Sequence, residues 1–231
     1  MEFTTPLIPG TLVRRYKRFL ADINLHSGEA VTAHCPNSGS MRGCYFPGNP
    51  VMVTFHDFPS RKLKYTWELI RVDNLWIGIN TQHPNLLVKE AIIRGRIGEL
   101  NGYQQIRREV KISNESRIDL VLESDSQKCF IEVKNVTLVE NGIAFFPDAV
   151  TLRGQKHLKE LVKLKKSGYR AIIFFVIQRT DSTCFRPADH IDPDYGKLLR
   201  LSVENGVEIL CYDAEISTRG IWISKSIPVC L

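Results

Sequence analysis

The segment Arg117–Lys134, RIDLVLESDSQKCFIEVK, restricts the fold of this chain more than any other stretch. Apolar residues alternate along both arms, and Asp125-Ser126 between them offers a tight turn, so the segment reads as a β-hairpin. With a two-residue connection, partners are symmetric about the turn: Asp119 faces Glu132 and Arg117 faces Lys134. Val121 and Phe130 share that face, while Ile118, Leu120, Leu122, Ile131 and Val133 form an apolar face toward the core. A three-residue loop would spoil this opposition, although a bulge could restore it.

Two carboxylates opposed on a sheet at about 5 Å repel each other unless a cation sits between them. Mg²⁺, or Mn²⁺ in its place, suits such a pair: it takes a few carboxylate oxygens, keeps waters, and completes its shell with a substrate phosphate. A metal so held polarises a phosphoryl group and acidifies a bound water. Lys134, on the same side, would orient that water or offset charge developing on phosphate. The competing reading is a solvated face on which Arg117 and Lys134 merely neutralise the acids, because D-x(12)-E-x-K is common by chance.

Other residues extend the site. Glu90, on a helix expected over 86–97, offers a further carboxylate, which makes Asp119, Glu132 and Glu90 the candidate metal ligands. The stretch FFPDAVTLRGQKHLKEL leads into a helix expected over 151–167, whose first turns carry Arg153, Gln155, Lys156 and His157. A basic helix N-terminus suits a phosphate. The plainer alternative is an amphipathic helix in which Leu158, Leu161, Val162 and Leu164 pack and the rest is wet.

The first 82 residues read as five short strands, at 11–21, 29–35, 50–57, 64–72 and 75–81, which suit a small closed barrel of OB or SH3-like type. Tyr16, Phe19, Phe55, Tyr65 and Trp67 are its candidate stacking aromatics, though most must also fill its core. From 83 to 231 the order changes to helix, strands at 103–112, 117–124 and 128–138, helix, buried strand at 171–177, helix at 193–205 and strand at 207–212. That order implies an α/β layer with a mixed sheet. The expectation is therefore an α+β protein of two domains, 1–82 and 83–231.

A formal net charge of +6 favours polyanion partners. The densest basic groups are Arg14, Arg15, Lys17, Arg18 and Arg61, Lys62, Lys64, each equally readable as a solvated face. The loop Pro36–Met41, with Asn37 and Ser38, can bend and present amides to an anion, or be a plain barrel turn. Six cysteines stand at wide spacings and are expected to be free thiols. No apolar run reaches the roughly 18 residues of a membrane span and no secretory signal is visible, so a cytoplasmic protein without membrane partners is expected.

Seven strings, HCPNSGSM (34–41), YKRFLADI (16–23), VKEAI (88–92), SRIDLVL (116–122), IEVKNVTL (131–138), FPDAVTLRGQKHLKEL (146–161) and RPADHID (186–192), resemble the sugar fermentation stimulation protein A family across nearly the whole chain. The resemblance implies an N-terminal five-stranded OB-fold barrel and a C-terminal domain similar to the PD-(D/E)XK nucleases. It implies DNA binding, with a regulatory link to sugar (maltose) metabolism. The motif's aspartate falls on Asp119, its second acid on Glu132 and its lysine on Lys134; Glu90 would be the helix acid of some branches and Gln155 the polar residue of the next helix. Ile118 stands where the motif's name has proline. The expected partner is thus nucleic acid, DNA before RNA, bound through Arg14, Arg15, Lys17, Arg18, Asn37, Ser38, Arg117, Arg153, Lys156 and His157. The leading expectation is a metal-dependent nuclease, and the alternative a non-catalytic, largely sequence-nonspecific DNA-binding regulator. The sequence leaves the oligomeric state open, a homodimer included.

Overall fold

Five strands of the N-terminal region close on themselves. The computed structural model describes residues 1–112 and 116–231. In it β1 (Leu7–Tyr16), β2 (Leu20–Leu25), β3 (Ala30–His34), β4 (Pro50–Phe55) and β5 (Tyr65–Val72) run in the order β3-β2-β1-β4-β5. A parallel pairing of β3 with β5, Ala33 to Tyr65 and His34 to Thr66, shuts the ring. This is the OB arrangement rather than the SH3-like one. Leu12, Ile23, Val51, Val53, Trp67 and Ile70 fill it, all essentially inaccessible to solvent. Trp67 is therefore core and unavailable for stacking, whereas Phe19 and Phe55 are exposed.

The five barrel strands are not the five expected. The stretch 11–21 is broken at Lys17 and Arg18, whose φ angles of 49° and 67° turn β1 back into β2. Such turns are usually marked by Gly, Asn or Asp, and YKRFL contains none of them. The last expected strand becomes β6 (Leu75–Gly78), which extends β5 as a hairpin outside the ring.

The second region holds a six-stranded mixed sheet, β15-β14-β12-β9-β8-β7, built from β7 (Gln105–Lys111), β8 (Arg117–Glu123), β9 (Lys128–Val136), β12 (Arg170–Ile177), β14 (Glu208–Ile216) and β15 (Ile221–Ser226). β12 runs parallel to both β9 and β14, and the other pairs are antiparallel. Both faces are covered. On one, α1 (His83–Ile93) packs Leu87, Val88 and Ala91 against Leu120, Leu122 and Ile131. On the other, α2 (Leu152–Lys166) and α3 (Pro193–Glu204) pack Leu158, Leu161 and Tyr195 against Val121, Phe130 and Phe175. Ile173–Ile177 of β12 are completely buried, the two-sided burial that a continuous apolar run implies.

Three short strands, β10 (Leu138–Glu140), β11 (Ile143–Phe146) and β13 (Cys184–Pro187), form a small sheet that the sequence pattern did not disclose. Beside β13, Phe185 N–H donates to Pro228 O at 2.8 Å and Cys230 N–H to Phe185 O at 2.9 Å. That pairing brings Cys184 and Cys230 together as a disulfide, against the expectation of six free thiols; Cys35, Cys44, Cys129 and Cys211 are free and buried. The first residues also cross the expected domain boundary. Glu2 bridges to Gly220 and Phe3 N–H donates to Arg219 O, so the chain starts on the second domain before entering the barrel. Among the described residues no helix is long and apolar enough to cross a membrane.

Candidate metal centre and interdomain groove

The β8–β9 hairpin adopts the expected register near its turn. Leu120 pairs with Ile131, Val121 with Phe130, Leu122 with Cys129 and Glu123 with Lys128. Ser124 and Gln127 close the Asp125-Ser126 turn, with Ser124 N–H donating to Gln127 O at 2.9 Å. Away from the turn the strands part, and the ladder ends at Leu120–Ile131. On the β7 side the pairing passes from Arg108–Leu120 to Val110–Ile118, with Glu109 at φ 52°. Asp119 is thus unpaired on both sides, and its Oδ2 accepts Val133 N–H at 2.8 Å.

The expected face-to-face pair of Asp119 and Glu132 is therefore replaced by a staggered one. Without a cation, strict opposition would force two carboxylates together; parting the strands gives one of them a backbone amide instead. The kink moves Ile118 off the face of Leu120 and Leu122 and into the core beneath α2. Arg117 pairs with Lys111 on β7 and is exposed; its expected pairing with Lys134 does not form, because the β8–β9 ladder ends at Leu120–Ile131.

Glu132 is held in the middle of the sheet, where β9 pairs with β12, and is 2% exposed. Lys134 Nζ donates to its Oε1 at 2.6 Å, and His157 Nδ1 contacts the same oxygen. Lys134 Nζ and His157 Nδ1 are 3.0 Å apart. Burial by itself raises the Glu132 pKa, but the charge of Lys134 and the hydrogen bond from His157 outweigh it and hold the group below the usual carboxylate range. Asp119 goes the other way. Burial, and then the charge of Glu132, push it up to about 6, despite the Val133 amide, Lys134 and Asn85. Asn85 Nδ2 donates to Asp119 Oδ1 at 2.9 Å from the first turn of α1.

The neighbouring candidates sort themselves by what they touch. Glu90 points away: it binds the Met1 amino group at 2.7 Å and Arg94 at 2.8 Å. On a helix, Asn85 and Glu90 lie on different faces, so only one of them can reach Asp119. Gln155 Nε2 donates to Asp192 Oδ1 at 3.0 Å rather than to the acids of the sheet. The N-terminus of α2, expected to face phosphate, already has a carboxylate: Asp192 Oδ2 accepts Thr151 N–H at 2.9 Å, and Thr151 Oγ1 caps Gly154 N–H at 3.0 Å. Arg153 and Lys156 are exposed on α2, with Arg153 Nε 3.4 Å from His157 Nε2. Among the described residues no three His, Cys, Asp or Glu side chains are grouped to hold a metal, so a cation here would rest on two carboxylates, Asp119 and Glu132.

Beside this cluster lies a groove of about 310 Å³ between barrel and second domain, lined by Arg18, Asn37, Asn135 and Phe145–Thr151 among others. The barrel loop on its rim is latched across it. Ser40 Oγ donates to Asp148 O at 2.7 Å and Met41 N–H to Asp148 Oδ2 at 2.9 Å. Arg15 serves this loop rather than a ligand, its Nη2 donating to Asn37 O and Gly39 O, each at 2.8 Å. Arg14 is paired with Asp22 at 2.8 Å; Lys17 and Arg18 are exposed. Ser38 is exposed on the groove's rim, and Asn37 is buried within it.

Two family models cover this architecture: the SfsA N-terminal OB domain over residues 13–79 and the sugar fermentation stimulation protein RE domain over residues 82–220. The chain belongs to the sugar fermentation stimulation protein A family. Members named sugar fermentation stimulation protein homolog are 58% identical in Geotalea uraniireducens, over 99% of both chains, and 50% identical in Shewanella frigidimarina, over the whole of both. The solved structure of Pyrococcus furiosus SfsA in complex with Ca²⁺ superimposes with a TM-score of 0.91 at 28% identity, covering 100% of this chain and 98% of that one. The two models leave Asn80 and Thr81 between them, and Thr81 lines the groove.

Proposed function

We propose that this chain binds DNA and hydrolyses its phosphodiester bonds with a divalent metal, Mg²⁺ or Mn²⁺, held between Asp119 and Glu132. The observation that carries the reading is the pairing of half-buried Asp119 with buried Glu132, with Lys134 beside them. A protein that only gripped phosphate would gain nothing from two acids facing it. The Ca²⁺ complex of the Pyrococcus furiosus relative supports a divalent cation in this fold.

The donor set fits such an ion. Lys134 and His157 both occupy Oε1 of Glu132, which leaves Oε2 for a cation. Asp119 has both oxygens oriented, by Asn85 and by Val133 N–H, with lone pairs to spare. Two carboxylates with waters and phosphate oxygens completing the shell is the coordination Mg²⁺ favours. When bound, the metal supplies charge stabilisation and a more acidic water. Lys134 offers its ammonium protons to a phosphoryl oxygen in the transition state, His157 holds Glu132 in place, and Asn85 fixes the Asp119 rotamer.

The family's name ties it to sugar fermentation, which favours a second reading, a DNA-binding regulator that does not cut. Incubation of the protein with single-stranded DNA, duplex DNA and RNA in Mg²⁺, Mn²⁺ or EDTA, beside Asp119→Ala and Lys134→Ala, separates the two. Cutting that needs metal and falls at least about a hundredfold in both variants is expected. DNA binding without cleavage by the wild type, undiminished in Asp119→Ala, would establish the regulator instead.

A further inference from the structure

We propose that the interdomain groove beside the acids is a pocket for one unpaired nucleobase, which makes a single strand or a frayed end, rather than intact duplex, the substrate of the metal site. This inference rests on the nucleic-acid reading above and adds the strand form.

The groove shares two elements with the acid cluster. Asn135 follows Lys134 on β9, and Thr151 caps the helix that carries His157. Its volume, about 310 Å³, is at the small end of ligand sites and matches one flat heterocycle rather than a paired helix. The latches of Ser40 and Met41 to Asp148 tie its two walls together, so it does not widen without breaking them.

Its chemistry is that of a base site, not a phosphate site. Arg18 and Asp148 are the charged residues lining it, and they cancel. Its apolar lining is the half-buried Phe145 and Phe146, with the buried Val136, Leu138 and Pro147. The lining also carries two carboxamides with fixed orientations. Asn37 Oδ1 accepts Gly39 N–H at 2.9 Å, which leaves its NH₂ as the group to offer a ligand. Asn135 Oδ1 accepts Gln178 Nε2 at 2.6 Å, and Gln178 is itself oriented by the Asn80 carbonyl at 3.3 Å. Two amide donors in a groove also lined by the Phe145 and Phe146 rings suit the ring acceptors and π-face of a nucleobase.

The test uses fluorescence anisotropy of the full chain in Ca²⁺, with a labelled 12-nucleotide oligo-dT, a blunt 12-base-pair duplex and the same duplex carrying a three-nucleotide tail. Ser38→Trp and Val150→Trp, both at exposed positions on the rim, fill the groove from opposite sides. The wild type should bind oligo-dT and the tailed duplex at least about tenfold more tightly than the blunt one, and both variants should lose that preference while their melting curves stay unchanged. Equal affinity for blunt and tailed duplex, or a preference that survives both variants, overturns the base pocket and leaves the metal reading intact. No binding to any of the three nucleic acids overturns both.

Discussion

Asp119 concentrates the account at the scale of one residue. Its carboxyl, pushed up to about 6 from 3.8, keeps a proton in the folded state that the unfolded chain has already lost between about pH 4 and 6. The folded state binds more protons in that window, so this group's contribution to stability falls as pH rises through it. At neutral pH without metal the ionised form is a standing cost, with an upper limit of about 3 kcal/mol for a shift of roughly two units. Asp119→Asn should therefore raise the free energy of urea unfolding by about 1–2 kcal/mol at pH 7.5 in EDTA, a gain that vanishes below pH 4. A variant less stable than the wild type at pH 7.5 would mean that Asp119 is satisfied by its neighbours alone. The hairpin that brings Asp119 near Glu132 and Lys134 was readable from strand alternation and a two-residue turn, but their exact opposition was not, because the ladder ends at Leu120–Ile131. Asn85 and His157 were not, in these roles. Which helical residue meets a sheet depends on the angle at which α1 and α2 pack, and no sequence spacing states that angle.

Among the elements, α2 and α3 are joined by a single carboxylate. Asp192, 2% exposed, caps α3 by accepting Tyr195 N–H at 3.0 Å, accepts Thr151 N–H at the entry to α2, and accepts Gln155 Nε2. Asp192→Ala leaves these donors unpaired, the Tyr195 N–H buried and the other two half-buried, at a cost of about 3 kcal/mol, and should lower the melting temperature by about 6–12 °C. A fall of 1 °C or less in a calorimetric scan would show that water replaces the carboxylate. The helices and the central strands of the sheet were visible in the sequence, since caps and apolar periodicity are local signals. The break at Lys17-Arg18 was hidden because the turn is built from residues that rarely adopt positive φ. The small β10-β11-β13 sheet was hidden for another reason: β11 pairs in parallel with β13, some forty residues downstream, through strands of only four residues.

For the molecule as a whole, fold and family agree that an OB barrel and a mixed-sheet domain work side by side. The start of α1 was legible from Pro84, but the packing of residues 1–3 and of the barrel loop on later residues was not. Residues 1–3 lie on β15's approach, Arg179 of the second domain donates to Gly43 O and Thr137 O, and the barrel loop is latched by Asp148. The contacts of residues 1–3, of Arg179 with Gly43 O and of Asp148 with Met41 link positions more than a hundred residues apart, which no local pattern announces. They fix the walls of the groove, which Asn135 lines one residue beyond Lys134. The proposed hydrolysis requires a cation between the two acids. The most direct measurement is an isothermal titration of the metal-free protein with Mn²⁺ at pH 7.5 and pH 5.5, beside Asp119→Asn and Glu132→Gln. One Mn²⁺ per chain is predicted at pH 7.5, bound at least about tenfold more weakly by either variant and more weakly by the wild type at pH 5.5, where a proton competes for Asp119. Mn²⁺ binding that is absent from the wild type, or equally tight in all three proteins, would contradict the account.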